Sequence, residues 1–286
     1  MIRKFSWLCS FLTLGFIVFL GSALVMDGMS GLSSVGFFSP GYWDFRQKSF
    51  HALSMFFGTA TVAVLAMTLA VPLGLGAAIF VSEHTKGKTR AFIKVLLELL
   101  AGIPSVVYGL LGVGFVIPLM GEWIIEQGGV SGESLLTAGG LLGIMVLPTM
   151  MTFADDALRC VPKKMREEAL SLGLSKWQVT SYVVLPQAKA GILGAAMLAL
   201  GRAMGETIAI FLVIGRVDYP FSSSIFSFET LLGGGQTLTT KIGGAELSIA
   251  YGDPQHWSAL MALAVTLWVS VTALAFGSGR ILRSKN

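Results

Sequence analysis

Long apolar stretches with almost no charged residues alternate along the chain with short polar segments. A helix needs about 20 mostly apolar residues to cross a hydrocarbon core about 30 Å thick. Six stretches of about that length are candidate spans: residues 7–26, 58–80, 95–120, 135–153, 192–214 and 257–276. Residues 50–57 are interpreted as an interfacial approach to the second span. The pattern predicts an all-α integral membrane protein with six transmembrane helices.

The basic residues support that number of spans. If the amino terminus is cytoplasmic, the inside segments are residues 1–6, 82–94, 155–190 and 277–286. These segments hold 15 of the 20 lysines and arginines, whereas the outside segments hold 4. Cytoplasmic loops of membrane proteins carry such an excess. We therefore expect both termini to be cytoplasmic, since one missed or extra helix would destroy the alternation.

Composition excludes an ordinary soluble protein. Charged residues make up 13% of the 286 residues and hydrophobic residues 54%, whereas a typical soluble protein is about 25% charged. Two cysteines, Cys9 and Cys160, cannot form a disulfide framework, and three scattered histidines lack the spacing of a metal site. We therefore expect no metal ion or cofactor to be bound by this chain itself.

The first apolar stretch also has features of a secretory signal peptide. Arg3 and Lys4 precede it, and Gly21-Ser22-Ala23 offers small residues for cleavage. Its apolar part is longer than the roughly 7–15 residues usual in such signals. We expect it to be retained as a transmembrane helix, with cleavage as the less favoured alternative.

The longest inside segment, residues 155–190, begins with signals for a short helix. Pro162 suits the first turn of a helix, where its missing N–H costs nothing. Residues 163–172 are good helix formers. Gly173 follows them and is a typical stop just beyond a helix end.

A second short helix is predicted to begin after Ser175. Gln178, three residues later, completes a capping box, in which each side chain bonds the main-chain N–H of the other residue. Pro186 is predicted to close this helix. We therefore expect two helices, joined at a glycine, on the cytoplasmic face.

The same loop matches a 20-residue signature of ABC importer permeases, E-A-A-x-x-x-G-x9-I-x-L-P. Glu168 replaces its first alanine and Val183 its isoleucine. The matching positions are Glu167, Glu168, Ala169, Gly173, Val183, Leu185 and Pro186. In proteins with this signature the loop is the coupling helix, which docks into a separate ATPase subunit. The alternative is a basic amphipathic loop that rests on anionic lipid.

A short basic sequence, Lys86-Gly87-Lys88-Thr89, is similar to the end of the phosphate-binding loop G-x-x-x-x-G-K-[ST]. The first glycine of that motif would fall at Ser82, and the sequence follows a transmembrane helix instead of a strand. We therefore predict that this chain binds no nucleotide and is not an enzyme. ATP and Mg²⁺ would be bound by the partner ATPase.

The fifth apolar stretch contains two charged residues, Arg202 and Glu206. At 1.5 Å per residue, Arg202 would lie about 16 Å beyond a helix start near Gly191, close to the centre of the hydrocarbon core. A charge at that depth costs at least about 2.5–3.5 kcal/mol and normally faces a protein interior or a polar cavity. Arg202 and Glu206 are four residues apart, so they can pair on one helix face.

Two interpretations of this pair remain open. It is either an ion pair that holds the helix bundle together or an anion-selective point on a translocation path. We favour the path, because the planar donors of Arg202 suit an oxyanion.

Hydroxyl side chains are further candidates for such a path. Ser105 and Thr149 follow Pro104 and Pro148, which are predicted to interrupt the third and fourth spans and to expose helix ends. Thr207 lies next to the charged pair. The alternative is that both prolines only produce packing kinks.

Four stretches resemble the permease subunits of phosphate ABC importers, the Pst group of binding-protein-dependent inner-membrane permeases. They are VPLGLGAAIFVSEH (71–84), ELLAGIPSVVYGLLG (98–112), the loop described above and LGRAMGETIAI (200–210). The resemblance covers roughly residues 55–280. The sequence QTLTT (236–240) and the form of GRAMGETIA resemble the PstC type of subunit more than the PstA type.

The resemblance implies the type I, MetI-like permease fold of ABC importers in a bacterial inner membrane. Residues 58–280 would form the permease domain, residues 1–57 a preceding helix and outside loop, and residues 281–286 a cytoplasmic tail. Arg202 and Glu206 match the intramembrane arginine and glutamate of the family.

The resemblance also implies partners. They are a PstA-like permease in a heterodimer, two PstB-like ATPase subunits and an extracytoplasmic PstS-like phosphate-binding protein, with no role for nucleic acid. The binding protein would dock on the outside loops 27–49, 121–133 and 215–256. ATP binding would close the ATPase pair, move the coupling helix and reorient the cavity.

Other functions remain as alternatives. The substrate of an ABC permease is either phosphate or another oxyanion, such as sulfate, molybdate or tungstate. An ion-gradient-driven transporter or channel could use the same charged pair, but it would not need the 163–186 loop. A membrane-embedded enzyme would need a converging nucleophile, base or metal set, and the sequence offers none.

Overall fold

The computed structural model describes residues 2–34, 36–85, 87–218 and 227–283, and most of these residues are helical. Lys86 of the basic sequence, residues 219–226 of the outer loop and residues 284–286 of the tail lie outside the described residues. The α-helices of the described part are α1 (Ile2–Leu32), α2 (Leu53–Ile79), α3 (Gly87–Gly102), α4 (Ser105–Leu111), α5 (Ile117–Glu126), α6 (Leu135–Arg159), α7 (Lys163–Ser171), α8 (Lys176–Val179), α9 (Leu185–Gly205), α10 (Ile208–Val213), α11 (Phe228–Leu232), α12 (Leu238–Ile242), α13 (Glu246–Ala250) and α14 (Pro254–Arg283).

Three short π-helical segments continue these helices. Phe80–His84 extends α2, Gly112–Val116 joins α4 to α5, and Thr180–Val184 joins α8 to α9. Between the described residues, β-structure is limited to two isolated bridges, Asp44 with Ser49 and Gly215 with Gly235. The fold of the described chain is therefore all-α, as predicted.

Six helices of the described chain are long and apolar enough to cross a membrane. They are Phe5–Leu32, Leu53–His84, Ser105–Glu126, Leu135–Arg159, Lys176–Gly205 and Pro254–Gly277. The predicted number of spans is confirmed, and the protein is a multi-pass integral membrane protein. The cytoplasmic location of both termini stays a prediction.

The prediction for the third span, residues 95–120, was wrong at its amino-terminal end. Gly87–Gly102 is a separate helix, α3, and the span begins only at Ser105. Pro104 lies between them with a ψ of 139°. Proline lacks an N–H and disfavours a helical conformation in the residue before it, so α3 ends before Pro104. The predicted stretch 95–120 therefore joined the apolar side of α3 to the first part of the actual span.

The fifth span is also displaced from the predicted residues 192–214. It starts at Lys176 and ends at Gly205, and a separate short helix, α10, follows the break. Pro186 does not close the loop helix, as the sequence had predicted. The Leu185 N–H instead bonds to the Thr180 oxygen across a wider π turn, and the chain continues as a helix through Pro186. Such turns occur inside longer helices and relax the usual spacing of main-chain bonds.

α6 lies at the centre of the bundle, between α2 and α9. In its apolar window 67% of the residues are buried, more than in any other described span. Gly139 permits the close approach of α2, because a Cβ at this position would lie 2.5 Å from the Cβ of Leu65. The fourth span therefore forms the main core.

α1 is peripheral and packs along α14. Only 6% of its apolar window is buried. The contact with α14 is close at Gly28 and Gly31, where an added Cβ would meet main-chain atoms of α14 at 3.0 Å and 2.4 Å. Ser30 and Ser258 are linked across it by a 2.6 Å hydroxyl–hydroxyl hydrogen bond.

A second hydrophobic cluster forms where the loop after α1 meets the loop before α14. Its largest buried side chains are Phe37, Trp43, Phe50, Met55, Leu238 and Leu260. These loops therefore fold as a small layer on one end of the bundle.

Candidate functional site: a helix break and a coupling surface

Arg202 lies in the last turn of α9, and its side chain is exposed. Its Nη1 donates a hydrogen bond to Thr149 Oγ1 on α6, at 2.8 Å. The two side chains come from different spans, 53 residues apart in the chain. The structure thus brings together two of the predicted path residues.

The predicted pairing of Arg202 with Glu206 was wrong. α9 ends at Gly205, and Glu206 is extended, with φ −72° and ψ 130°. Glu206 Oε1 instead accepts a hydrogen bond from the Ala209 N–H at 3.2 Å, at the start of α10. Pairing at a spacing of four requires an unbroken helix, and the break turns the carboxylate away. Within the described chain, no carboxylate lies within 4 Å of the Arg202 guanidinium.

Thr207 is the N-cap residue of α10 and lies directly before its first residue, just after the break. Its Oγ1 makes a long hydrogen bond, 3.4 Å, to the Gly205 oxygen. On the other side of the break, Thr239 Oγ1 donates to the Glu206 main-chain oxygen at 2.8 Å. A Cβ on Gly243 would lie only 2.5 Å from the Thr207 methyl group. α12 therefore packs directly against the break.

α12 is held in this position by α2. The Leu238 N–H donates to Thr59 Oγ1 at 2.9 Å, and Gly58 allows close contact, because a Cβ there would lie 2.0 Å from the Gln236 oxygen. A capping box between Thr237 and Thr240 starts the helix. Sequence reasoning used the QTLTT sequence only to identify the subunit type and missed its structural role. The signal was a run of small hydroxyl residues in a loop otherwise expected to face water.

Ser105 lies at the start of α4, which packs on α10. A Cβ on Gly109 would lie 3.1 Å from the Ala209 Cα. Among the described residues, no hydrogen bond joins Ser105 to Arg202, Thr149 or Thr207. The structure therefore places Ser105 on a neighbouring helix without joining it to the other candidates.

The predicted break at Pro148 does not form. α6 runs unbroken from Leu135 to Arg159, and the Pro148 oxygen accepts a hydrogen bond from Thr152 Oγ1 at 2.8 Å. The helix thus continues through the proline, as is tolerated in membrane helices. Thr149 is presented by a continuous helix.

Two cavities lie between α9 and α14. One, of about 540 Å³, is lined mainly by apolar side chains, and Arg202 is the charged residue among its described lining residues. The other, of about 460 Å³, is bordered by Thr207 and Thr239 at the break and by Trp268 on α14. Because the surrounding lining is apolar, Arg202 is the main electrostatic feature of this face.

A buried charge cluster lies in the loop layer near α12. Lys241 is 3% exposed, and its Nζ lies 2.8 Å from Asp218 Oδ2 and 3.1 Å from Glu246 Oε1. Glu246 Oε2 also lies 2.7 Å from His256 Nε2 and accepts a hydrogen bond from Trp43 Nε1 at 3.3 Å. Burial raises the pKa of Asp218, and the positive charge of Lys241 opposes that rise. The cluster escaped sequence analysis, since its members are widely separated in the chain.

The predicted coupling loop has a free face and a buried face. Glu167 and Glu168 on α7 are exposed, whereas Ala169 is buried in the core. The turn at Gly173 has a φ of +86°, a conformation in which glycine ends many helices. Leu172 beside this turn is 84% exposed. The predicted first helix and its glycine stop are therefore confirmed.

The predicted capping box is also present. Ser175 N–H donates to Gln178 Oε1 at 2.8 Å, and Gln178 N–H donates to Ser175 Oγ at 3.4 Å. Trp177 and Tyr182 expose large parts of their rings beside this helix. Leu185 is half-buried and Pro186 is exposed where α9 starts. The loop therefore exposes carboxylates, a leucine and aromatic rings.

Residues 70–284 match the family described as "Binding-protein-dependent transport system inner membrane component". The chain belongs to this family. The members are components of transport systems, and the signature in the 167–186 loop is consistent with that membership.

Individual relatives are more specific. The chain is 34% identical to the phosphate transport system permease protein PstC of Mesorhizobium japonicum over 278 residues, which cover 91% of this chain and 82% of that protein. It is 32% identical to PstC of Xylella fastidiosa strain Temecula1 (85% and 77% covered). It is 33% identical to PstC of Haemophilus influenzae (85% and 79% covered).

Solved structures support the fold. A chain of the MetNI methionine ABC transporter in an inward-facing conformation matches with a TM-score of 0.60 at 17% identity, covering 80% of this chain and 93% of that chain. A chain of a bacterial alginate ABC transporter matches with a TM-score of 0.55 at 16% identity, covering 98% and 96%. The predicted MetI-like permease fold of ABC importers is therefore confirmed.

Proposed function

We propose that this chain is a permease subunit of an ATP-driven ABC importer that moves inorganic phosphate across a bacterial inner membrane. The observation that carries the proposal is the similarity to PstC proteins over most of the chain. The chemistry of Arg202 supports it, because a guanidinium offers several planar donors to an oxyanion.

Arg202 and Thr149 are the proposed anion contact on the path. Thr149 occupies one donor of the Arg202 side chain and leaves the others for substrate. Glu206 is fixed by Ala209 and does not neutralise Arg202 in this conformation. We propose Thr207 as a neighbouring path residue because it borders the same break, and Ser105 because its helix packs on α10.

The proposed coupling surface comprises the exposed part of the 167–186 loop. The positions that match the signature are Glu167, Glu168, Ala169, Gly173, Leu185 and Pro186. Ala169 among them is buried and packs α7 against the bundle. A separate PstB-like ATPase, present in two copies, would bind ATP and Mg²⁺ and contact this loop. This orientation requires both termini to be cytoplasmic, in agreement with the distribution of basic residues.

The remaining partners follow from the same proposal. A PstA-like permease completes the heterodimer within the lipid bilayer. A PstS-like phosphate-binding protein docks on the opposite face, at the loops within residues 27–49, 121–133 and 215–256. ATP-driven movement of the loop then alternates access to the path, and no nucleic acid takes part.

The test is uptake of ³²P-phosphate by the complete complex in proteoliposomes. We expect uptake to require ATP and the binding protein, and to persist when ion gradients are dissipated. Uptake that follows an ion gradient without ATP would refute the ABC mechanism. Absence of ATP-dependent phosphate uptake, together with ATP-dependent uptake of labelled sulfate, molybdate or tungstate, would assign the path to another oxyanion.

A variant pair tests the anion contact. Arg202→Ala is expected to abolish most uptake, whereas Lys189→Ala, which removes an exposed cation from the same helix, is expected to keep it. Equal uptake by the wild-type complex and the Arg202→Ala complex would remove Arg202 from the path.

A further inference from the structure

Arg166 is the polar link between the coupling helix α7 and the membrane spans. Its Nη1 pairs with Glu83 Oε1, in the π-helical segment that ends the second span. Its Nη2 donates to the Leu158 main-chain oxygen at 2.6 Å, in the last turn of α6. One guanidinium therefore joins a loop helix to the ends of two spans.

The Arg166 side chain and its ion pair with Glu83 are largely shielded from solvent, and no second polar contact described in the chain does the same. The side chains of Arg166 and Glu83 are 19% and 14% exposed, and hydrogen bonds between two charged groups are among the stronger ones in proteins. Among the described residues, no other side-chain hydrogen bond or ion pair joins α7 to a membrane span. The Lys164–Glu168 ion pair stays within α7.

One face of α7 contacts the bundle, and the other is exposed. Arg166 and Ala169 are three residues apart and so lie on the same side of the helix, towards the bundle. Glu167 and Glu168 are exposed on the rest of the surface. A force applied to the exposed carboxylates would therefore reach the bundle through Ala169 packing and the Arg166 link.

We propose that Arg166 is a positioning residue that transmits the movement of α7 to the ends of α2 and α6. This inference rests on the proposed function, since it requires an ATPase that moves α7. Loss of the link lets α7 move without the spans, so that ATP is hydrolysed without transport.

The side-chain chemistry explains why arginine is required. A planar guanidinium offers donors in two directions at once, whereas a lysine ammonium is a compact point charge. Arg166→Lys is expected to keep the ion pair with Glu83 and to lose the geometry that also holds the Leu158 oxygen.

A second ion pair provides a matched control. Arg90 on α3 donates to both oxygens of Asp155 on α6, at 2.9 Å and 2.7 Å. The side chains are 17% and 11% exposed, similar to those of Arg166 and Glu83. Within the described residues this pair makes no hydrogen bond or ion pair with α7, so its loss tests stability without breaking the proposed link.

The experiment compares Arg166→Gln, Glu83→Gln and Arg90→Gln in the complete complex in proteoliposomes. The readouts are basal ATP hydrolysis, its stimulation by the phosphate-loaded binding protein, and the number of ATP molecules hydrolysed per phosphate imported. We expect basal hydrolysis to be retained in all three complexes. In Arg166→Gln and Glu83→Gln the ATP used per phosphate should rise about tenfold, within the range usual for coupling between two sites.

The double variant makes the test specific. Arg166→Gln removes the contacts to both spans, whereas Glu83→Gln removes only the ion pair with the second span. The double variant should therefore be no more uncoupled than Arg166→Gln alone. If Arg166→Gln does not assemble, Arg166→Lys and Glu83→Gln give the same reading, with a smaller effect for the lysine.

Two results would overturn the inference. One is an unchanged ATP-to-phosphate ratio in assembled Arg166 and Glu83 variants. The other is an equal rise in Arg90→Gln, which would indicate a general loss of stability. Failure of the proposed function looks different, because the wild-type complex itself would then show no ATP-dependent uptake.

Discussion

The Thr239 hydroxyl donates a hydrogen bond to the main-chain oxygen of Glu206, at 2.8 Å. Through this bond a helix of only five residues, α12, is attached to the point where the fifth span is interrupted. The Glu206 carbonyl lies just beyond the end of α9, where carbonyls lack the hydrogen bonds that an unbroken helix would supply. The Thr239 hydroxyl supplies that hydrogen bond instead. The loop layer and the break thus form one structural unit.

Thr239→Val should therefore disturb the break without changing side-chain shape. The substitution also removes the hydrogen bond between the Thr239 and Thr237 hydroxyls. Loss of a hydrogen bond costs about 1 kcal/mol, and we expect both a lower unfolding temperature and several-fold slower uptake. Thr266→Val is the control, since its hydroxyl bonds only within α14. An uptake rate equal to that of the wild type would mean that the attachment has no part in transport.

Thr149→Val tests how the Arg202 side chain is held. This hydrogen bond is exposed to solvent and so contributes at the lower end of the usual range, about 0.5 kcal/mol. We therefore expect the KM for phosphate to rise about two- to threefold while kcat changes little. Thr152→Val, one turn further along α6, removes a hydroxyl that bonds only the Pro148 oxygen and should leave KM unchanged. Similar kinetics in the two variants would contradict a specific role for Thr149.

Lys241 and Asp218 should respond very differently to substitution, although they form one ion pair. Lys241→Met leaves the carboxylates of Asp218 and Glu246 without their cation, and breaking a buried pair in this way costs about 3–5 kcal/mol. Asp218→Asn keeps Lys241 paired with Glu246 and removes a charge that burial already disfavours. We expect a large fall in unfolding temperature for the first and a small change for the second. Equal falls would show that Asp218, and not Glu246, is the essential partner of Lys241.

Asp253 is expected to make the stability of the loop layer depend on pH in the acidic range. Its pKa is lowered chiefly by the His256 main-chain N–H, with a further contribution from the Gln255 N–H. Because the folded pKa is below the ordinary value, the stabilisation is present above that ordinary value and is lost as the pH falls through the folded pKa. Thermal unfolding between neutral and strongly acidic pH should show this loss in the wild type. Asp253→Asn should remove this part of the pH dependence, and an unchanged profile would contradict the assignment.

Local sequence signals predicted the coupling loop well. The stop at Gly173 and the capping box at Ser175 depend on residues within three positions of each other, and both are present. The six spans were predictable for a similar reason, since length and apolarity alone decide which helices can cross a membrane.

Proline and continuous hydropathy were less reliable guides. Pro148 and Pro186 are both accommodated within helices, whereas Pro104 does separate α3 from α4. For Pro186 the difference lies in a π turn just before it, which a rule based on residue type alone does not include. Apolar length likewise failed to separate α3 from the span that follows it.

Contacts between distant segments could not be predicted from one sequence. The residues of the Arg166–Glu83 pair are 83 apart, and those of the Arg90–Asp155 pair are 65 apart. Each depends on the way the spans pack, and no local pattern identifies either pair. The same is true of Thr239, since its hydrogen bond to Glu206 depends on how α12 packs against the helix break.

The peripheral position of α1 has a consequence for its evolution. Apart from the face that packs along α14, most of its side chains are exposed in this chain, so lipid tails would satisfy them equally well. Substitutions among leucine, phenylalanine and valine should accumulate freely there. Gly28 and Gly31 are the exception, because even a methyl group at either position would collide with the main chain of α14. Related chains should therefore differ widely along this helix and retain two small residues, three apart, near its end.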